Sequence, residues 1–452
     1  MIREFIDREE ERALLEREWQ GAGGRLVILY GRRRIGKTRL IDEFIRDKPG
    51  ILYIAEDASP HIQIDRLKSR CAEYFGDTLL SGLEIKTWDQ LFTYLAQKPL
   101  TQRTYLVIDE FTYLIKNDPS ILSALQKAWD RSIQGSDWCL LLSGSILSLM
   151  SDLALSSTSP LYGRRTRDML LPPLRFSDAR KFFRFGFTDA LKTYLSIGGV
   201  PEYLLKAGAY DDSDTFFKSE FLSRYGYFYN EPYFILSQEF RELKVYQSIL
   251  HAIAFGNTSP TSIAQFCGLD TRHVYPYLDS MIRLGIVEKE VPVLGNPRQG
   301  IYRIRDRVFD FWYCHVFPHR QEIETGHTET LVPDMNPFFG RQFESFVRDE
   351  FAGTVLPGYH TGHWWYKEDE IDLVALNDTS SAALFGECKW GDIGYPQAKK
   401  LLATLKTKAK IVRADRYLHR KYALFSAGTI EEKDRLQDEG YLVFDSRDMG
   451  QS

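Results

Sequence analysis

Two groups of residues in this chain have the types and spacing to do chemistry. The first lies in RLVILYGRRRIGKTRLIDEFI, where Gly31 and Gly36 bracket Arg32, Arg33, Arg34 and Ile35 and are followed by Lys37 and Thr38. A loop of this pattern turns its backbone N–H groups onto phosphates, Lys37 reaches the β- and γ-phosphates, and Thr38 offers a hydroxyl to Mg2+. The helix that starts there adds the positive end of its dipole. A glycine-rich turn without a ligand is the plain alternative. The apolar strand before the motif and the helix after it favour a nucleotide, and ATP with Mg2+ is the expected cofactor pair.

Two more apolar segments supply partners for that loop. RTYLVIDEF ends in Asp109 and Glu110. An acid at the carboxyl end of a parallel strand can hold Mg2+, and the glutamate after it can polarise the attacking water, so hydrolysis is expected and not binding alone. WCLLLSGS ends in Ser143 and Ser145, either of which could sense the γ-phosphate or cap the helix of ILSLMSDL.

The second group lies in EIDLVALNDTSSAALFGECKW, from Glu370 to Trp390. Its alternation and the turn-rich NDTSS predict a β-hairpin. A turn centred between Thr379 and Ser380 sets Leu376 opposite Ala383, Asp372 opposite Glu387 and Glu370 opposite Lys389. Period-two alternation then puts Glu370, Asp372, Glu387 and Lys389 on one face and Cys388 on the other. Glu370 and Lys389 could form a cross-strand ion pair. Asp372 and Glu387 would still face each other at about 5 Å, which is destabilising unless a cation lies between them. Mg2+ or Mn2+ held by the two carboxylates and water resolves the conflict, with Lys389 orienting a water or steadying charge on a phosphate. Upstream, NPFFGRQFESFVRDEF reads as a helix with Phe339, Phe343, Phe346 and Val347 on one face and Glu344 close beside it.

Holding these groups takes several domains. A chain of 452 residues exceeds one core, and domain sizes suggest about three or four. The pattern divides into a nucleotide-binding core over 1–165, a winged helix-turn-helix over 239–325 and a mixed α/β domain over 326–452, with the segment 166–238 between the first two. Hydrophobic residues at 44% and aromatics at 14% supply the cores, and a net charge of −4 selects no partner, so only local patches can argue for nucleic acid. Five scattered cysteines suggest neither a disulfide framework nor structural zinc. With no uncharged apolar run of membrane-spanning length, the expected setting is cytoplasmic and away from the membrane. The opening MIREFIDREEERALLE reads as a helix started by Asp7.

In the third segment, SPTSIAQFCGLDTRHVYPYLDSMIRLGIV gives a short helix, a turn at Gly268-Leu269-Asp270 and a second helix with Val274, Leu278 and Ile282 at helical spacing. IVEKEVPVLGNPRQGIYRI adds two strands around a Gly295-Asn296-Pro297 turn. Arg272, His273, Arg298 and Arg303 could meet DNA there, or the module could pack on protein, since Asp270, Asp279, Glu288 and Glu290 dilute its basic face. RVFDFWYCHVFPHR is expected to bury Phe309, Phe311 and Trp312 against this module, with His315 a core histidine. The basic run from Lys399 to Lys421 is either a track for a phosphate backbone or a solvated surface.

FIDREEERALLE, YGRRRIGKTRL, LVIDEF, LLSGS, PLYGRRT and GGVPEYL together resemble the archaeal-type ATPases of the AAA+ and STAND-related P-loop group, over roughly the first half of the chain. The resemblance implies an α/β multidomain fold with a P-loop NTPase parallel sheet, in which the Ser143 strand separates the Asp109 strand from the P-loop strand. It also implies a helical lid, and it sets Arg164 or Arg165 where an arginine can reach a phosphate in cis or from a neighbouring subunit of a homo-oligomer. Asp372, Glu387 and Lys389, with Glu344 as the first-helix acid, resemble the PD-(D/E)XK nuclease-like superfamily, although Ile371 stands where a proline is usual. GRQFE, EIDLVA and GECKW look like the C-terminal domain of unknown function that accompanies these ATPases. The joint implication is an ATP-driven protein acting on DNA, with a winged helix to engage it and a metal-dependent site to cut it. The alternative is a nucleotide-dependent switch whose winged helix and inactive nuclease-like fold bind protein partners.

Overall fold

Long apolar runs such as RLVILY, TYLVID and WCLLLSG leave no polar face, so their strands must be covered on both sides, the signature of a parallel sheet. A computed structural model describes residues 8–326 and 335–450; Asp7, the expected helix opener, lies outside them. The chain forms two compact units, 1–173 and 174–452.

In the first unit, β1 (Arg25–Tyr30), β2 (Gly50–Ile54), β3 (Thr104–Asp109), β4 (Trp138–Gly144) and β5 (Arg167–Leu170) form one parallel sheet in the order β2-β3-β4-β1-β5. The P-loop strand β1 and the Asp109 strand β3 are thus both neighbours of β4, the arrangement that the family resemblance implies. Leu26, Ile28, Leu106, Ile108, Leu140 and Leu142 meet Trp88, Leu91 and Trp129 from the covering helices in one core. The unit closes at Pro173 and not at 165, because β5 pairs with Val27–Tyr30 of β1. Its short sequence RDML carries two charges, so periodicity does not mark it as a strand.

The second unit starts with helices, among them Phe187–Ile197, Pro201–Ala207, Ser213–Glu220 and Glu231–Glu239. Helices Leu243–Ala254, Pro260–Cys267 and Thr271–Arg283 follow, then an antiparallel pair, β6 (Val287–Glu290) and β7 (Ile301–Ile304). Local chemistry sets these boundaries: Ser259 caps the second helix with Pro260 in its first turn, left-handed Gly268 ends it, and Asp270 caps the third. Phe309, Phe311 and Trp312 are buried. Phe311 packs on Phe217, Phe221 and Phe338, and the Trp312 indole donates to the Tyr229 carbonyl, so that segment joins the helix Ser213–Glu220 and the turn after it to the helix Asn336–Phe346.

The last part of the unit is a mixed sheet of β8 (His360–Tyr366), β9 (Asp369–Asn377), β10 (Ala382–Lys389), β11 (His419–Ser426) and β12 (Leu442–Phe444), ordered β12-β11-β10-β9-β8. β8, β9 and β10 run antiparallel, while β10, β11 and β12 run parallel. The helix Tyr395–Lys408 buries Ala398, Leu402 and Leu405 with Phe385 and Leu424 of the sheet. Phe339 and Phe343 of the helix Asn336–Phe346 pack on Trp390, just past the end of β10. Hairpin pairing runs from Ala382↔Asn377 to Gly386↔Leu373, the register that the expected turn centre gives.

Candidate functional site

The phosphate-binding motif begins where β1 ends. A Cβ on Gly31 would lie 3.0 Å from the Leu171 carbonyl oxygen and 3.2 Å from Ile35, so any side chain there would press on both. Gly36 has φ 94°, a left-handed conformation that turns the loop into the helix Lys37–Ile45. Arg34 is also left-handed, Ile35 is buried, and Arg33 donates to the Tyr113 hydroxyl at 3.3 Å. The Lys37 ammonium is buried and donates to the carbonyl oxygens of Gly31 at 2.9 Å and Arg32 at 3.2 Å, so loop and lysine form one closed turn. Burial lowers the Lys37 pKa, against the pull of Glu110 and Asp109.

The carboxyl end of β3 meets that turn. Thr38 Oγ1 donates to Asp109 Oδ2 at 2.7 Å, and the Glu110 N–H donates to Asp109 Oδ1 at 3.0 Å. A hydroxyl and a carboxylate oxygen this close make an oxygen pair suited to a small hard cation such as Mg2+. Of the two serines after β4, Ser143 is fully buried with its hydroxyl unpartnered, while Ser145 Oγ donates to Glu110 Oε2 at 2.7 Å. Neither caps the helix Leu147–Leu155, whose cap position falls on Ile146. Arg164 is clamped to Asp130 by two 2.7 Å bonds, and Arg165 pairs with Asp168 at 2.9 Å. Either guanidinium has to leave a carboxylate before it can meet a phosphate.

The C-terminal group is also brought together. Asp372 and Glu387 are buried, and the Cys388 N–H donates to Asp372 Oδ2 at 2.7 Å, so a side chain takes over where the β9–β10 ladder stops. Burial and the charge of Glu387 push Asp372 up to about 6, against the Cys388 N–H and Lys389. Burial and the charge of Asp372 push Glu344 up to about 8. The expected Glu370–Lys389 pair is not formed. Lys389 instead meets Glu387 at 2.8 Å, two residues back on the same strand face, while Glu370 is exposed with one oxygen 3.9 Å from His363. Among the described residues, no group of three or more His, Cys, Asp or Glu side chains forms a metal site. A divalent ion here fits only as the ion of two carboxylates, Asp372 and Glu387, completed by water and substrate oxygens.

The β6–β7 pair departs further from expectation. Arg303 lies in β7, not at the turn, and pairs with Glu290 of β6 at 2.8 Å. Glu290 also lies 3.4 Å from Arg348 and 3.4 Å from His363 Nδ1. Burial pushes the Glu290 carboxyl up, but His363, Arg348 and Arg303 outweigh it and hold the group at about 2. Beyond β6, the Val293 N–H donates to the His363 carbonyl of β8 at 2.9 Å, so the loop between β6 and β7 closes an open sheet edge. Arg298 and His273 are exposed, and Arg272 pairs with Asp270. In the basic run, Lys399 pairs with Glu439, Lys406 with the Tyr441 hydroxyl, Arg416 with Asp378 and Arg420 with Asp415, while Lys400, Lys410, Arg413 and Lys421 are exposed. His315 is a buried core histidine against Phe311 and Phe338, and burial lowers it to about 4.

A family model described as an ATPase domain predominantly from Archaea matches residues 5–206. Another, described as archaea bacterial proteins of unknown function, matches residues 312–401. An uncharacterized protein of Methanocaldococcus jannaschii is 31% identical over 468 residues, spanning 98% of this chain and 99% of that protein. An uncharacterized ATP-binding protein of the same organism is 52% identical over 44 residues, 10% of this chain and 75% of that protein. Among solved structures, the Walker-type ATPase of Pyrococcus abyssi is similar at a TM-score of 0.49 and 20% identity, covering 68% of this chain and 96% of that one. The Aeropyrum pernix ORC2 protein follows at 0.47 and 13%, covering 72% and 96%.

Proposed function

We propose that this chain, which belongs to the predominantly archaeal ATPase family, hydrolyses ATP at the β1–β3–β4 strand ends and uses that cycle to act on DNA. The observation that carries the first part is the convergence of Lys37, the Thr38–Asp109 pair and Glu110 on one loop. In this reading the N–H groups of Gly31–Lys37 and the Lys37 ammonium bind the β- and γ-phosphates. Thr38 and Asp109 hold Mg2+, which supplies charge neutralisation at the phosphates. Glu110 takes the proton of the attacking water, and the Ser143 hydroxyl meets the γ-phosphate. Arg164, released from Asp130, adds charge to the transition state in its own subunit or a neighbour's. Replacing Glu110 by glutamine tests this: nucleotide binding is retained and turnover lost, whereas wild-type turnover overturns the assignment.

For the second part, Asp372 and Glu387 hold a divalent ion, Mg2+ or Mn2+, with Lys389 and Glu344 at its side, and the substrate is a DNA phosphodiester. The helix Thr271–Arg283 engages the duplex. Supercoiled, linear and single-stranded DNA with either metal, with and without ATP, and a Lys389→Ala control, test this reading. Metal-dependent cutting lost in Lys389→Ala supports it; no cutting on any substrate overturns it.

One observation favours a second reading. The wing is committed to the edge of the C-terminal sheet and Arg303 to Glu290, which suits a nucleotide-dependent switch that binds a protein partner. ATP turnover unaffected by DNA and lacking any DNA retention at moderate salt selects that reading.

A further inference from the structure

The pairing of β8 with β9 slips at one place, beside Asp372. It runs through Gly362↔Val374 and resumes at Trp364↔Ile371, so Asp372 and Leu373 together stand opposite His363 alone. This is a β-bulge, in which an extra residue bends the strand and re-aims a side chain. The β6–β7 loop lies directly on it: the Val293 N–H donates to the His363 carbonyl at 2.9 Å, and a Cβ on Gly362 would lie 3.0 Å from the Val293 side chain. The His363 imidazole is buried, with Nδ1 3.4 Å from Glu290 Oε1 and Nε2 3.9 Å from Glu370 Oε2. Glu290 reaches the helical side of the site as well. Its Oε1 lies 3.4 Å from Arg348, which comes four residues after Glu344 in the run Val347–Phe351 that continues the helix Asn336–Phe346. The Thr361 hydroxyl of β8 donates to the Arg348 carbonyl at 3.1 Å. One carboxylate of β6 thus holds a neighbour of each of two site acids, His363 across from Asp372 and Arg348 one turn beyond Glu344.

We propose that His363, oriented by Glu290, is a positioning residue for the C-terminal site, fixing the bulge so that the Asp372 carboxylate stays aimed, with Glu387, at one divalent ion. This rests on the reading in which Asp372 and Glu387 hold that ion. The two carboxylates repel each other, so a bulge left free relaxes by turning Asp372 away. The two contacts on His363, one to its backbone and one to its ring, oppose that movement. The β6–β7 pair thereby has a task at this site without supplying a ligand to it.

Mn2+ binding to the nucleotide-free full chain, read from the electron paramagnetic resonance of the free ion, tests this without any turnover. Asp372→Asn defines the site by the binding that it removes. His363→Ala raises the Mn2+ Kd of that site about 10- to 100-fold, the usual loss when a group standing behind a metal ligand is removed. His363→Leu, which fills the space, shows the same rise, so the result does not depend on a cavity. Asparagine keeps a side-chain N–H near the place of Nδ1 and brings the Kd back toward wild type. Leu405→Ala opens a hole in the core of the same sheet and lowers Tm but leaves the Kd unchanged, which separates aim from general loosening. A wild-type Kd in His363→Ala or His363→Leu, a rise that asparagine does not restore, or an equal rise in Leu405→Ala overturns the proposal and leaves the ion with Asp372 and Glu387. Mn2+ binding that Asp372→Asn does not reduce removes the ion and the proposal together.

Discussion

The nucleotide site and the acid–lysine site both gather carboxylates at strand ends, but they handle charge in opposite ways. Around the P-loop each acid has a donor from the chain itself: Thr38 and the Glu110 N–H for Asp109, and Ser145 for Glu110. The C-terminal site leaves Asp372 in the field of Glu387 and Glu344 in the field of Asp372, with burial first and those repulsions next pushing Asp372 up to about 6 and Glu344 up to about 8. Lys389 and one N–H do not offset this. The first site is preorganised by its own hydrogen bonds; the second is short of positive charge, which a bound cation would supply.

The largest expected effect separates the two sites outright. Lys37→Ala removes the ammonium that bridges loop and phosphate, and turnover should fall by about 10²–10³, the usual loss for one preorganised donor in such a site. Phosphate release measures it. The same variant should leave metal-dependent DNA cutting without ATP unchanged. A loss of that cutting would show that the sites are not separable and would break the comparison.

The difference also governs what the sequence made legible. Gly31, Gly36, Lys37 and Thr38 lie within one short loop between strand and helix and act through its backbone geometry, so motif, strand and helix could be read together. The hairpin register was legible for a similar reason, since its turn is local and one slip would put Leu373 and Phe385 on the wrong face. What could not be read was side-chain choice among equals. Lys389 had two acids within reach and took Glu387, and Ser145 found Glu110 across 35 residues. The cluster of Glu290 with Arg348 and His363 joins residues from separate elements, and nothing in VEKEVPV announces it. Strand β5, short and charged, was lost in the segment expected to be lid.

Next in size is Glu290→Gln. Glu290 is the carboxylate shared by Arg303, Arg348 and His363, and Arg348 and His363 are themselves buried. Removing its charge leaves the Arg348 and Arg303 guanidinium groups without that counter-charge, and a loss of about 3–5 kcal/mol is typical for breaking such a pair. Urea unfolding followed by tryptophan fluorescence measures it. A change within error would mean that the wing is held by its backbone contact with β8 alone.

A pH series gives a smaller effect with a definite sign. Asp372 and Glu344 bind protons more tightly in the folded chain than in an unfolded one. The folded state therefore carries the extra protons, and this contribution to stability falls as pH rises from the ordinary carboxylate range through about 6 and about 8. In chelator, Tm should decline across that window; Mg2+ or Mn2+ should flatten the decline, as should Asp372→Asn with Glu344→Gln. A decline that neither metal nor the double variant changes would place its cause outside this site.

The smallest effect is the one that separates the two functional readings, and it comes from contrasting two arginines, one in β7 and one in the helix Thr271–Arg283. Arg303 is tied to a half-buried acid within the fold, whereas Arg272 stands at the exposed start of the helix Thr271–Arg283 paired with Asp270. Arg272→Ala should therefore leave Tm unchanged, because its one ion pair is screened by water and salt. If that helix lies on a duplex, the variant should weaken binding of any DNA sequence a few-fold and reduce the slope of log affinity against log salt by about one, the signature of a single phosphate contact. Fluorescence anisotropy with a labelled duplex at several salt concentrations measures both quantities. Unchanged affinity and slope, with wild-type chain still binding, would move the DNA contact off this helix. The exposed Lys400, Lys410, Arg413 and Lys421 would then be the next residues to replace, and the helix face would be left to a protein partner.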